Sequence, residues 1–168
     1  MPNEILGKYG TVQTVSDAVE GLASDTNLLA GWQSAVLDFT TTRPRDVIIN
    51  IKRTTAASGT ITANTRIEVW AIAWDGSGWP DTFTATAGGK TLTSANVKAP
   101  ICCNVVAFFV DATNARTYTK NGISLVQVFG GCLPSRCAIF TVQNTGQALH
   151  ATAGNHSTTY QTFVDEIQ

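Results

Sequence analysis

The chain has 168 residues, a formal net charge of −1 and only 14% charged residues, against about 25% in an average domain. That length suits one domain able to bury roughly 70% of its unfolded surface, with no need of a metal or disulfide to rescue a small core. No basic run is present, which argues against a nucleic-acid footprint or an anionic membrane surface.

Composition also sets the class of fold. Threonine occurs 25 times, and it fits a half-buried pleat better than a helix. A chain so lightly charged is poorly soluble alone and is expected to assemble. Met1-Pro2-Asn3-Glu4 lacks the basic opening of a secretory signal, and nothing approaches the ~20 apolar residues of a membrane-spanning helix. The expectation is a soluble protein made in a cytosol, with no membrane partner.

Residues 1–30 are expected to form an irregular arm. Val12, Val15, Val19 and Leu22 fall at near-helical spacing with Ser16 or Asp17 as a cap, but Gly21 limits any helix to about two turns. Such an arm is either a frayed tail or a segment that orders on a neighbour.

A single domain over residues 31–168 is expected to follow, beginning with strand signals from residue 34. Strands are predicted at Ser34–Phe39, Asp46–Arg53, Arg66–Trp74, Ile101–Val110, Arg116–Thr119, Ile123–Phe129, Arg136–Gln143, Ala148–Ala151 and Ser157–Val164. Turns or loops at Thr40–Pro44, Ala56–Asn64, Asp111–Asn114, Gly130–Ser135 and Asn144–Gly146 punctuate them. Residues 75–98, rich in Gly, Thr and Ala, read as a long connection. Some nine short strands with no repeat and no long helix predict an all-β fold, an antiparallel β-sandwich of jelly-roll type.

The strand over Arg66–Trp74 organises this pattern. Ile67, Val69, Ala71 and Ala73 point one way, and Glu68, Trp70, Ile72 and Trp74 the other. Both faces are mostly apolar, so either another layer of the chain or another copy must cover the second. Trp70, Trp74, Ile72 and Trp79 are therefore the predicted core or subunit contacts, tryptophan being enriched at interfaces. A sugar-stacking platform of Trp32, Trp70, Trp74 and Trp79 is the competing reading.

Chemistry-bearing motifs are weak. Cys102, Cys103, Cys132 and Cys137 contain no CxxC pair, and with only His150 and His156 beside them no zinc site is expected; buried thiols are the simpler reading. Asp75, Asp81 and Asp111 lie at strand ends where a glycosidase pair could sit, but aspartate in a turn is ordinary turn chemistry. Ala87-Gly88-Gly89-Lys90-Thr91 lacks the first glycine of a phosphate loop, position 84 being Thr84. Asn155-His156-Ser157 fits a glycosylation acceptor only in a secreted chain. No nucleophile elbow occurs, and no cofactor, metal site or catalytic residue is predicted.

Five segments in order carry a resemblance. Arg66-Ile67-Glu68-Val69-Trp70, Trp79-Pro80-Asp81, Phe129-Gly130-Gly131-Cys132-Leu133-Pro134, Gln143-Asn144-Thr145-Gly146-Gln147-Ala148-Leu149 and Gly154-Asn155-His156 resemble a small family of tailed-bacteriophage virion structural proteins, over roughly residues 22–165. The resemblance implies a β-sandwich or jelly-roll subunit on the capsid surface. Such a subunit would be non-enzymatic, would self-associate as a symmetric oligomer (a trimer being the expected form) and would bridge major capsid proteins against the outward stress of packed DNA. A head or tail fibre module contacting host glycans is the alternative, and a carbohydrate-binding module or glycosidase a third.

Overall fold

The structure is a computed structural model that describes residues 5–167. Eleven strands and two short helices appear in the order β1 Ile5–Tyr9, β2 Gln13–Thr14, β3 Ala30–Gln33, β4 Leu37–Asp38, β5 Asp46–Thr54, β6 Arg66–Ala73, β7 Gly88–Thr91, α1 Ala95–Ile101, β8 Cys102–Phe109, β9 Thr117–Ser124, α2 Leu125–Val128, β10 Arg136–Gln143 and β11 Ser157–Ile167. All pairings are antiparallel. One sheet runs β1-β11-β5-β9, with β2 also on β11; the other runs β7-β3-β10-β6-β8, with β4 also on β10. The protein is an all-β antiparallel sandwich.

Alternation builds the space between the sheets. Val47, Ile49 and Ile51 of β5 point inward, as do Ile67, Val69 and Ala71 of β6 and Cys137 and Ile139 of β10; together they form the main core. At about 25 cal/mol per Å² of apolar surface removed from water, this cluster is the principal stabilising term. The largest polar side chain buried beside it is Arg53, fully buried at the end of β5. The guanidinium donates to Asp17 Oδ2 at 2.7 Å, to Thr158 Oγ1 at 3.0 Å on its own sheet, and to Thr141 Oγ1 at 3.0 Å on the opposite sheet. One cation thus ties both sheets to the N-terminal segment.

The opposite pleats of the six-stranded sheet are also covered. Ile72, Phe140 and Val142 pack with Leu28, Phe83, Leu92 and Cys102 in a second cluster, and Phe83 meets Phe140 edge-to-face at 5.0 Å. The cover is the chain's own excursion between β6 and β8. It is pinned by Gln33, which donates to Thr84 O and accepts from Thr84 N, and by Thr93, whose backbone and hydroxyl both donate to Asp81. Another layer of the same chain therefore hides the second face of β6, which removes the need for a neighbouring copy there.

Several boundaries differ from the sequence reading. Residues 5–9 and 13–14 are strands on the free edge of β11, and Val15, Val19 and Leu28 are buried. The arm of residues 1–30, as far as it is described, belongs to the sandwich rather than standing apart. Of its near-helical residues, Val15 and Val19 serve as single anchors of an irregular segment while Val12 stays exposed, and no helix forms among the described residues. Ile123–Phe129 divides between β9 and α2 because Ser124 caps the turn, its side chain accepting from Gln127 N. Residues 148–151 make no strand; Leu149 is simply an anchor in the core. Beyond Phe163, β11 has left β5 and pairs only with β1, so residues 5–9 and 163–167 form a two-stranded ribbon.

Candidate interaction surface

The predicted contact residues divide between core and surface. Ile72 is fully buried in the second cluster, where Trp70 and Trp79 pack against it while remaining partly exposed. Trp74 lies just past the end of β6, half-buried, with the Arg136 guanidinium 5.0 Å from its ring centre. Trp32 lies on β3, opposite Thr141, so the four tryptophans do not share one platform.

Trp70 borders the most polar arrangement on this face. Its indole N–H donates to Glu68 Oε2 at 3.0 Å, and the Lys98 ammonium sits 4.7 Å from its ring centre. Lys98 is buried, and donates to Glu68 Oε2 at 2.5 Å and to Leu28 O at 2.8 Å. Arg66 donates to the other Glu68 oxygen at 2.5 Å. Burial works to raise the Glu68 pKa, yet the bonds and charge of Lys98, with the bonds from Arg66 and Trp70, hold it below the usual carboxylate value. The adjoining cleft is about 240 Å³. Its carboxylate already has three donors, so it serves as the hub that fixes Lys98 and the cover segment.

Turn carboxylates are likewise engaged. Asp75 accepts from Gly78 N and Ser77 N, and these bonds lower its pKa. Asp81 is bound to Thr93, and Asp111 accepts from Arg116 and Tyr118. Each closes its own loop, the chemistry expected of aspartate in turns. Gly88–Thr91 is strand β7, which leaves no loop there to cradle a phosphate.

His156 is buried, with Nδ1 accepting from Thr54 N at 3.3 Å and Nε2 donating to His150 O at 2.8 Å. Desolvation pushes its pKa down, with the Arg53 charge adding to the shift despite the bond to His150. It is held as a neutral imidazole by structure on both nitrogens. All four cysteines are free thiols; Cys102 and Cys137 are buried, Cys103 is partly buried and Cys132 is exposed. Burial raises the Cys102 and Cys137 pKa values to about 12. Among the described residues no group of three or more His, Cys, Asp or Glu side chains is placed to hold a metal ion.

A shallow depression of about 350 Å³ lies between Phe39, Arg43, Pro44, Leu133 and Pro134. Among the described residues, the exposed large apolar side chains are Ile5, Leu6, Tyr9 and Val12 in the N-terminal segment, and Phe109 at the end of β8. Four of the five therefore lie on or beside the β1 edge. This surface is barely legible in the sequence, where Ile5-Leu6-Gly7-Lys8-Tyr9 reads as part of an irregular arm. The available signal was a five-residue stretch free of Pro and Asp, with apolar residues at Ile5, Leu6 and Tyr9.

No family model matches this chain, no curated protein is detectably similar to it, and no solved structure matches it.

Proposed function

We propose that this chain is a non-enzymatic structural subunit of a tailed-bacteriophage virion, a decoration (cement) protein that sits on the capsid surface and bridges major capsid proteins. The observation that carries the reading is how the apolar surface is distributed. The chain covers the outer pleats of its own six-stranded sheet, and among the described residues most of the exposed large apolar side chains collect on one edge, at Ile5, Leu6, Tyr9 and Val12. A surface of that kind suits lateral attachment to a larger assembly better than enclosure of a small substrate. The resemblance of the five ordered segments to virion proteins points the same way.

The test is the copy number of the chain in purified phage particles. A decoration protein co-purifies with capsids at near-stoichiometric ratio to the shell protein, and particles lacking it lose DNA at lower temperature. A handful of copies per particle, or none on the head, refutes the reading. A head or tail fibre module contacting host glycans is the second reading, favoured by the partly exposed Trp70 ring beside the cleft at Arg66 and Lys98; it requires few copies and direct glycan binding that Trp70→Ala abolishes.

A further inference from the structure

We propose that β1 is a self-pairing edge: two copies of this chain associate by antiparallel pairing of their β1 strands about a two-fold axis at Gly7. This goes beyond the virion reading and does not rest on it.

The backbone supplies the first argument. Gly10 N donates to Thr162 O at 2.8 Å, and β1 pairs in register from Tyr9↔Phe163 to Ile5↔Ile167. In an antiparallel ladder, successive residues direct their N–H and C=O to opposite sides. Leu6 and Lys8, like Gly10, therefore bond to β11, while the N–H and C=O groups of Ile5, Gly7 and Tyr9 point outward along the free edge. If a second β1 is placed antiparallel with Gly7 opposite Gly7, Ile5 falls opposite Tyr9 of the second copy and Tyr9 opposite its Ile5. Every outward donor and acceptor of the three residues then has a partner. A shift by one residue would set outward groups against residues already bonded to β11.

The side chains supply the second. Ile5, Gly7 and Tyr9 share a face with Phe163, whose ring lies across Gly7 and 5.0 Å from the Tyr9 ring. A Cβ on Gly7 would lie 2.3 Å from the Phe163 ring, so the residue at the two-fold axis leaves the ring its place. Pairing joins Phe163 and Tyr9 of one copy to Ile5 of the other in one apolar row, and covers side chains that are 66% (Ile5) and 60% (Tyr9) exposed. On the other face Leu6 falls opposite Lys8, whose ammonium is already paired with Glu166 at 3.0 Å. No like charges meet directly across the axis.

The edge also lacks the devices that keep sheets apart. β1 has no proline or bulge and only the neutralised Lys8, where protected edges carry charges, prolines or covers. A two-stranded ribbon is marginal alone in water, and pairing turns two such ribbons into a four-stranded sheet. Five residues a side fall below the roughly 20–30 of a standard interface, so the pair is reversible and concentration-dependent. The contact is two-fold, in contrast to the three-fold association expected from sequence, and isologous as two-fold contacts are.

The experiment compares sedimentation velocity of the full chain with two variants, Ile5→Lys/Tyr9→Lys and Ile5→Lys/Tyr9→Glu, whose folding is checked by melting temperature. Both change exposed side chains by the same number of charges. In the proposed register the first sets lysine against lysine and the second lysine against glutamate. The parent chain should show a monomer–dimer equilibrium, the Lys/Lys variant should stay monomeric at tenfold higher concentration, and the Lys/Glu variant should dimerise and weaken with salt. Amide exchange gives a second readout: Ile5, Gly7 and Tyr9 should gain protection with concentration, whereas Leu6 and Lys8 are protected throughout. A parent chain that is monomeric at all concentrations, a trimer indifferent to both variants, or protection of Gly7 only when capsids are added overturns the proposal. Capsid co-purification is read separately, so decoration can succeed where self-pairing fails.

Discussion

Removing the Asp17 carboxylate while leaving Arg53 in place should be among the most damaging single changes the protein can suffer. Arg53 is wholly buried, and Asp17 Oδ2 is its sole anionic contact at 2.7 Å among the described residues. Its other acceptors are neutral: the Lys52 and Ser157 carbonyls at 2.9 and 3.1 Å, and the Thr141 and Thr158 hydroxyls. Its Nε already lacks a partner. Asp17→Ala therefore strands a cation between the sheets, which costs about 3–5 kcal/mol. For a chain of this size each kcal/mol moves the melting temperature by roughly 2–4 °C, so the drop should be about 6–20 °C by calorimetry. Asp17→Ala/Arg53→Met removes both charges and should be less destabilised than Asp17→Ala alone, because the desolvation cost of the cation disappears with it. A loss below about 1 kcal/mol for Asp17→Ala, or a double variant no better than the single, would refute the claim that this pair is held together by mutual need.

Three other outcomes follow from the same geometry. Phe140→Ala should cost about 3–5 kcal/mol and also open residues 75–101 to limited proteolysis, whereas Ile49→Ala, in the main core, should lower stability without local cleavage there; uniform cleavage of both variants would contradict the two-cluster picture. His156 takes up its proton at lower pH in the folded chain than the ordinary 6.5, so between those values the unfolded chain binds more protons and stability falls as pH drops from about 6.5; a urea-midpoint series should show this slope, and His156→Gln should flatten it. Cys132 should react with a thiol reagent in the native protein while Cys102 and Cys137 wait for unfolding, which a time-resolved count of modified thiols will show.

Much of the sandwich could be read from alternation because its strands are half-buried or buried on both faces. Arg136–Gln143 is found with the bounds read from sequence, and Asp46–Thr54 and Arg66–Ala73 differ from their readings by one residue. The misses share a cause. β1 and β2 are short edge pieces whose identity depends on β11, more than 140 positions away in the register, and local propensity carries no trace of such a partner. α2 was hidden because Leu125-Val126-Gln127-Val128 favours a strand by composition, while the Ser124 cap decides for a turn of helix. The interaction surface suffered from the opposite bias. Trp70, Ile72 and Trp79 drew attention as large apolar residues, but the Gly- and Thr-rich stretch after them, read as a connection, supplies the Phe83 and Leu92 that cover that side. Ile5 and Tyr9, less conspicuous in sequence, are left in water.

The placement of β11 has a consequence for biosynthesis. β11, which follows every other strand described here, lies inside its sheet, with β5 on one flank and β1 and β2 on the other. While the ribosome still holds residues 157–167, the earlier strands of that sheet face a gap and Arg53 lacks Thr158. Closure is a late, long-range event of the kind that folds slowly, and the nascent chain carries an open, sticky slot until residues 157–167 emerge. When many copies are made at once, crowding would make that slot the place where neighbouring chains are most prone to tangle.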